Sequence, residues 1–198
     1  MRQLTRALPA LLLAILLTPV IAAEAQDLHP SRRPSPMGLA RITLDDTYVK
    51  VVYSRPYKRD RDNIFGTAES GALVPYGELW RTGANEATEI TLTGDLQVAG
   101  QPLAAGTYSL FTTPGPQEWK IHFNSKLGLS GAGIFADGEF TPVDLGPTEA
   151  LVVTVPAGAT AEEVDQFTIS FEEVEGGADM VLAWIGTEVR VPIAVAAE

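Results

Sequence analysis

Cysteine is absent from the 198 residues and histidine occurs twice. Without a thiol the chain forms no disulfide, carries no lipidated N-terminal cysteine and has no cysteine nucleophile. His29 lies in a Pro-rich segment. His122 lies in an alternating stretch with Lys120 and Asn124 on its own face, so neither a Ser-His-Asp relay nor a His-rich metal site is expected. No Gly-rich phosphate loop leads into a helix, and no acidic loop has EF-hand spacing. Asp137, Glu139 and Asp144 are loop-borne carboxylates, but their spacing is not specific to calcium. No catalytic residue, metal ligand or cofactor is therefore assigned. Helix signal is also scarce: Thr160-Ala161-Glu162-Glu163 has capping-box spacing and predicts one turn at most.

The first 25 residues have the form of an export signal. Arg2 and Arg6 precede an apolar run from Leu8 to Ala22, and Ala23-Glu24-Ala25 is a small-x-small cleavage motif. A retained membrane span fits less well, because the run falls short of the roughly 20 residues a span needs and contains Pro9 and Pro19. No later run is long and apolar enough to cross a bilayer. The expectation is a periplasmic or extracellular protein with no membrane attachment once the signal is removed. Its first 25 residues hold two Arg and one Glu, so the remaining 173 carry 12 basic and 24 acidic residues. That balance excludes a nucleic-acid partner, whose phosphates require a positive footprint. Cations are concentrated early: residues 26–61 are net +4 and residues 62–198 net −16, and between Arg61 and Lys120 the single cation is Arg81.

Residues 26–40 are rich in Pro, Ser and Arg without periodicity, which predicts a flexible linker ahead of one domain over residues 41–198. Beyond it, period-2 alternation recurs. Val49, Val51 and Tyr53 share a face, as do Trp119, Ile121 and Phe123; Phe167, Ile169 and Phe171; and Val189, Val191 and Ile193. Residues 151–155 and 180–185 are apolar on both faces, as central strands are. Gly, Pro, Asp and Asn punctuate the gaps. The fold class is all-β, an antiparallel β-sandwich of jelly-roll or Ig-like form with little helix.

Against this pattern stands the stretch LWRTGANEAT, residues 79–88. Arg55 and Glu86 fall on the inward phase at the ends of their strands, which predicts a partly buried polar cluster at one mouth of the sandwich. Arg81 presents a fork that grips carboxylates, and Glu86 is its nearest partner in sequence, with Arg55 as third member. Trp80 supplies an aromatic wall, and Asn85 flanks the turn. The leading reading is a binding module taking a small-molecule, glycan or protein ligand through Arg55, Trp80, Arg81, Asn85 and Glu86. Two alternatives stay open: a hydrolase or lyase using Glu86 with Arg81, and a purely structural or assembly domain, in which case no cleft adjoins Arg81. The basic segment Arg55–Arg61 is either an anion-binding element or a solvated loop.

Several blocks carry a resemblance: Tyr53-Ser54-Arg55-Pro56, Ile64-Phe65-Gly66, residues 73–88 and Ala105-Gly106-Thr107-Tyr108-Ser109-Leu110. They resemble the signature of an exported bacterial family, domain of unknown function 2911, over about residues 35 to 195. The resemblance implies an exported β-rich protein and no particular reaction, cofactor or substrate. The chain departs from the family's compact Lys-Gly-Arg approach to Ile-Phe-Gly, because Tyr57–Asn63 stands in its place and Thr67–Ala72 enlarges the next loop.

Overall fold

Asp45 and Asp46 close the first hairpin, with Asp45 in the left-handed region at φ 48°. That conformation suits Asp, whose short side chain tolerates it. In this computed structural model, which describes residues 32–196, the hairpin joins β1 (Met37–Leu44) to β2 (Thr47–Ser54). The chain continues through β3 (Phe65–Gly66), β4 (Val74–Pro75), β5 (Thr88–Leu92), β6 (Leu96–Val98), β7 (Gln101–Leu103), β8 (Gly106–Thr113) and β9 (Glu118–Asn124). It ends with β10 (Gly133–Ala136), β11 (Glu139–Pro142), β12 (Glu149–Val174) and β13 (Gly177–Val195). The export signal expected over residues 1–25 lies outside the described residues.

Nine strands form one sheet in the order β1-β2-β5-β8-β9-β12-β13-β6-β7, with antiparallel pairing throughout. Strand β12 carries the sheet round on itself. Glu149–Pro156 pairs with β9, and the remainder pairs with β13. The alternating residues of β2, β5 and β9 face those of β12, β13 and β6, so Val51, Ile90 and Ile121 share one core cluster with Phe167, Leu182 and Val191. This is the all-β antiparallel architecture expected from the alternation, and its shared core is compatible with a sandwich. A smaller cluster of Ala87, Phe111 and Leu129 lies on the outer face, under the segment that carries β10 and β11.

Two expectations are corrected. Thr160–Glu163 is not a helical turn but part of β12, where register shifts between Ala159 and Val164 and between Val164 and Thr168 place extra residues opposite β13. Bulges of this kind sharpen the twist and let a strand bend from one partner to the next. The linker expected to run to residue 40 also ends earlier, because Met37–Ala40 already pairs with Val51–Ser54. Pro34 and Ser35 likewise lie against the fold through their carbonyls.

Candidate functional site

LWRTGANEAT crosses the end of the sheet between β4 and β5. Trp80 and Thr112 exchange backbone hydrogen bonds at 2.7 and 2.9 Å, which anchors the start of the loop to β8. The Thr88 hydroxyl donates to the Thr82 carbonyl at 2.7 Å and closes the other end. Between them Thr82, fully buried, adopts φ 54°, and Asn85 adopts φ 57°. Gly83 is required by space as well as by conformation: a Cβ there would lie 2.7 Å from the Ser54 carbonyl, an atom of the β2 backbone that cannot swing aside.

The five expected site residues divide into three groups. Trp80 and Arg81 line a cleft of about 360 Å³ together with Arg59, Arg61 and Trp184. Its other walls are Pro34, Ser35, Pro56, Leu73 and Val74 and the turn at Gly83-Ala84. Trp80 lies parallel to Trp184 at 5.9 Å between centroids and meets Phe167 edge-on at 5.0 Å. Both indole N–H groups are spent on backbone carbonyls, Trp80 on Gly83 at 3.0 Å and Trp184 on Asp165 at 3.2 Å, so both rings present only carbon to the cleft.

Arg55 and Asn85 are braces. Arg55 donates from Nε to the Phe167 carbonyl at 3.2 Å and from Nη2 to the Thr168 hydroxyl at 2.8 Å, which ties the end of β2 to β12. Gly38 makes room for it, since a Cβ at that position would stand 2.5 Å from Arg55 Cδ. Asn85 Nδ2 donates to the Ser35 carbonyl and to the Ser54 hydroxyl, both at 3.0 Å. Neither residue lines the cleft.

Glu86 corrects two expectations. Its side chain is 60% exposed rather than inward, because Asn85 turns the chain just before β5 begins at Thr88 and the alternation does not extend back through that turn. Its partner is Arg33, whose Nη1 reaches the two carboxylate oxygens at 2.5 and 2.7 Å, and not Arg81. Glu86 lines a second, more apolar cleft of about 260 Å³ with Met37, Val52, Glu89 and Leu129.

Arg81 is left without the carboxylate expected for it. Its Nε is buried and has no hydrogen-bond partner, and no ion pair engages its guanidinium among the described residues. Burial draws Arg81 below the ordinary guanidinium value, against the opposing pull of the Glu86 charge. A half-buried charge without a bonded partner carries a desolvation cost that the distant Glu86 charge offsets only in part.

Backbone strain gathers at the same cleft. Among the described residues, the non-glycine positions with positive φ outside the β1–β2, β6–β7 and β10–β11 hairpin turns are Arg59, Thr82, Asn85 and Ile185. Arg59 lines the cleft, Thr82 joins Arg81 to Gly83, and Ile185 follows Trp184. For the β-branched Thr82 and Ile185 this conformation costs on the order of 1–3 kcal/mol and persists only where the surroundings enforce it.

Sequence reasoning left the role of the basic segment open, and the structure brings its Arg59 and Arg61 to the cleft beside Arg81. Trp184 gave no local signal, because its stretch is apolar on both faces. Away from both clefts, His122 sits between the Thr113 hydroxyl, 3.0 Å from Nε2, and Glu149, 2.7 Å from Nδ1. Neither cleft is lined by any of the three, and they brace β8, β9 and β12 on the outer face. Among the described residues, no three His, Asp or Glu side chains are grouped to hold a metal ion.

No match to a curated protein or to a solved structure was found. A family model does match residues 35–193, and the chain belongs to that family, described as protein of unknown function DUF2911.

Proposed function

We propose that this domain is a non-catalytic, extracytoplasmic binding module whose ligand occupies the cleft beside Trp80 and Arg81. The observation that carries the reading is Arg81 itself, a half-buried arginine on the lining of a formed cleft whose guanidinium makes no hydrogen bond or ion pair among the described residues. Proteins retain such unfavourable arrangements at functional sites, and the strained backbone at Thr82 and Ile185 has the same character. A purely structural cluster required Arg81 to have no adjoining cleft. The hydrolase or lyase alternative loses its geometry, since Glu86 accepts from Arg33 and lines the other cleft. In this reading Arg55 and Asn85 hold the walls in place and do not touch ligand.

The test is a thermal-shift screen of glycans, organic acids and peptides against the purified protein. A ligand at about 100 times its Kd stabilises the fold by about 2.7 kcal/mol, a shift well within detection. Failure of the whole screen to move Tm removes the reading. Export rests on the first 25 residues. Expression in a bacterial host followed by N-terminal sequencing is expected to give a chain starting at Gln26.

A further inference from the structure

Starting from that binding reading, we infer that the cleft selects a monocarboxylic acid carried on a single apolar ring, with Arg81 gripping the carboxylate and Trp80 and Trp184 walling the ring.

Three observations set the ligand class. The first is charge: three guanidinium groups and no carboxylate line the cleft among the described residues, so its interior favours an anion. The second is how those groups are already committed. Arg59 Nη2 donates to the Pro34 carbonyl at 3.1 Å. Arg61 donates from Nε to the Lys58 carbonyl at 3.1 Å and from Nη2 to the Tyr57 carbonyl. Arg59 is tied to the strap before β1 and Arg61 to its own loop, so both contribute mainly field. Arg81 alone makes no side-chain hydrogen bond; its Nε is closed off and its Nη1 lies beside Gly131, which leaves the Nη1–Nη2 edge for a ligand, and a planar fork of parallel N–H groups matches a carboxylate better than a point charge does.

The third observation is what surrounds the fork. Apart from the arginines, Ser35 contributes the one polar side chain to the lining that is not an indole, and both indole N–H groups are satisfied internally. A sugar ring would find donors in the arginines but, Ser35 and backbone groups aside, no side-chain acceptors for the hydrogens of its several hydroxyls, leaving some of them desolvated and unmatched. A flat apolar ring loses nothing against Trp80, Pro34, Pro56, Leu73 and Val74. At about 360 Å³ the cleft lies at the small end of ligand sites, which suits one ring and its acid group.

The experiment is calorimetric titration of the purified protein, with tryptophan fluorescence in parallel, using benzoate, phenylacetate and cinnamate. The corresponding neutral amides, galacturonate and inorganic sulfate serve as the comparison set. At least one aromatic acid is expected to bind, and its amide to bind about tenfold more weakly or worse, because the charge-assisted fork contact is lost. In Arg81→Gln the acid is expected to fall to the affinity of its amide, and Arg81→Lys to recover only part of the gap, since a lysine keeps charge but not the fork. The double variant Arg59→Gln/Arg61→Gln should weaken all anions while preserving the preference for acid over amide. The Arg81 side chain makes no hydrogen bond among the described residues, so its variants are expected to remain folded, and their Tm is recorded alongside. Equal binding of acid and amide, or tighter binding of galacturonate or sulfate, overturns the inference and leaves the binding reading standing. No binding by any of the three acids overturns it as well, and the binding reading is then judged by the broader screen.

Discussion

At the scale of single residues, Arg81 separates two kinds of explanation. A brace loses stability when either partner is removed, whereas a charge held for a ligand is released from a cost. Arg81→Met keeps an apolar stem and deletes the charge, so it is expected to leave the free protein unchanged or more stable by up to about 2 kcal/mol. Glu86→Ala is expected to cost less than about 1 kcal/mol, because the carboxylate it removes is 60% exposed and screened by solvent. Coupling between Arg81→Met and Glu86→Ala in a double-mutant cycle, followed by urea unfolding, should stay within about 0.5 kcal/mol, since no bond joins the two side chains. Single losses of roughly 3–5 kcal/mol with strong coupling would restore the brace. The sequence marked the right loop but not its bonds, for a physical reason: the partner of Glu86 lies 53 residues upstream, and neighbours along a chain bear little on who meets in space. Tyr53 offers a titration at the same scale. Burial raises its phenol above the ordinary value, opposed by its bond to Ile169 and by the Arg55 charge. A phenol whose folded value is raised keeps its proton more tightly in the fold. The resulting stability is present in full below the unfolded value of about 10 and is lost as pH rises through the folded one. Urea midpoints should therefore fall above about pH 10, and Tyr53→Phe should show a shallower fall. Some slope is expected to remain, because burial raises Tyr108 too. Parallel pH curves for the two proteins would contradict this account.

At the scale of elements, alternation located the cores of β2, β9, β12 and β13 but not their extents. The apolar runs at 151–155 and 167–171 belong to one strand, and the bulges joining them break the period of two and carry a composition suited to a helix cap. The Pro-rich segment before β1 was equally opaque. Its proline carbonyls accept bonds that no side-chain pattern reveals: Arg55 N–H donates to Pro36 and Arg59 to Pro34, while Asn85 donates to Ser35. This strap forms one wall of the cleft, so Asn85 is expected to matter to an element rather than to a ligand. Asn85→Ala loses two hydrogen bonds and places a Cβ residue without Asn's tolerance at positive φ, at a combined cost of roughly 2–3 kcal/mol. Asn85→Gly keeps the conformation available and should cost about 1 kcal/mol less. Hydrogen exchange should report faster opening of residues 35–40 in both variants. Wild-type exchange in Asn85→Gly would show that the strap does not depend on the side chain.

At the scale of the whole molecule, the question is whether the turn of the sheet within β12 divides the protein or unites it. The bulges at 159–168 form a natural hinge, but the residues on either side of them share one core. The aromatic cluster crosses the same boundary: Trp119 of β9 and Trp80 of the loop share it with Phe167 of β12 and Trp184 of β13. Opening the hinge would expose both halves of that cluster at once, and neither half has a second core large enough to survive alone. The chain is therefore expected to unfold in a single cooperative step. Its three tryptophans all belong to this cluster, so fluorescence reports on the junction while far-UV circular dichroism reports on the strands. Coincident denaturant transitions would mean that stabilisation by a ligand beside Arg81 is felt by the entire fold. An earlier fluorescence transition would mean that the junction opens on its own, and the cleft, which Trp80 and Trp184 both line, would then form and dissolve independently of the sheet.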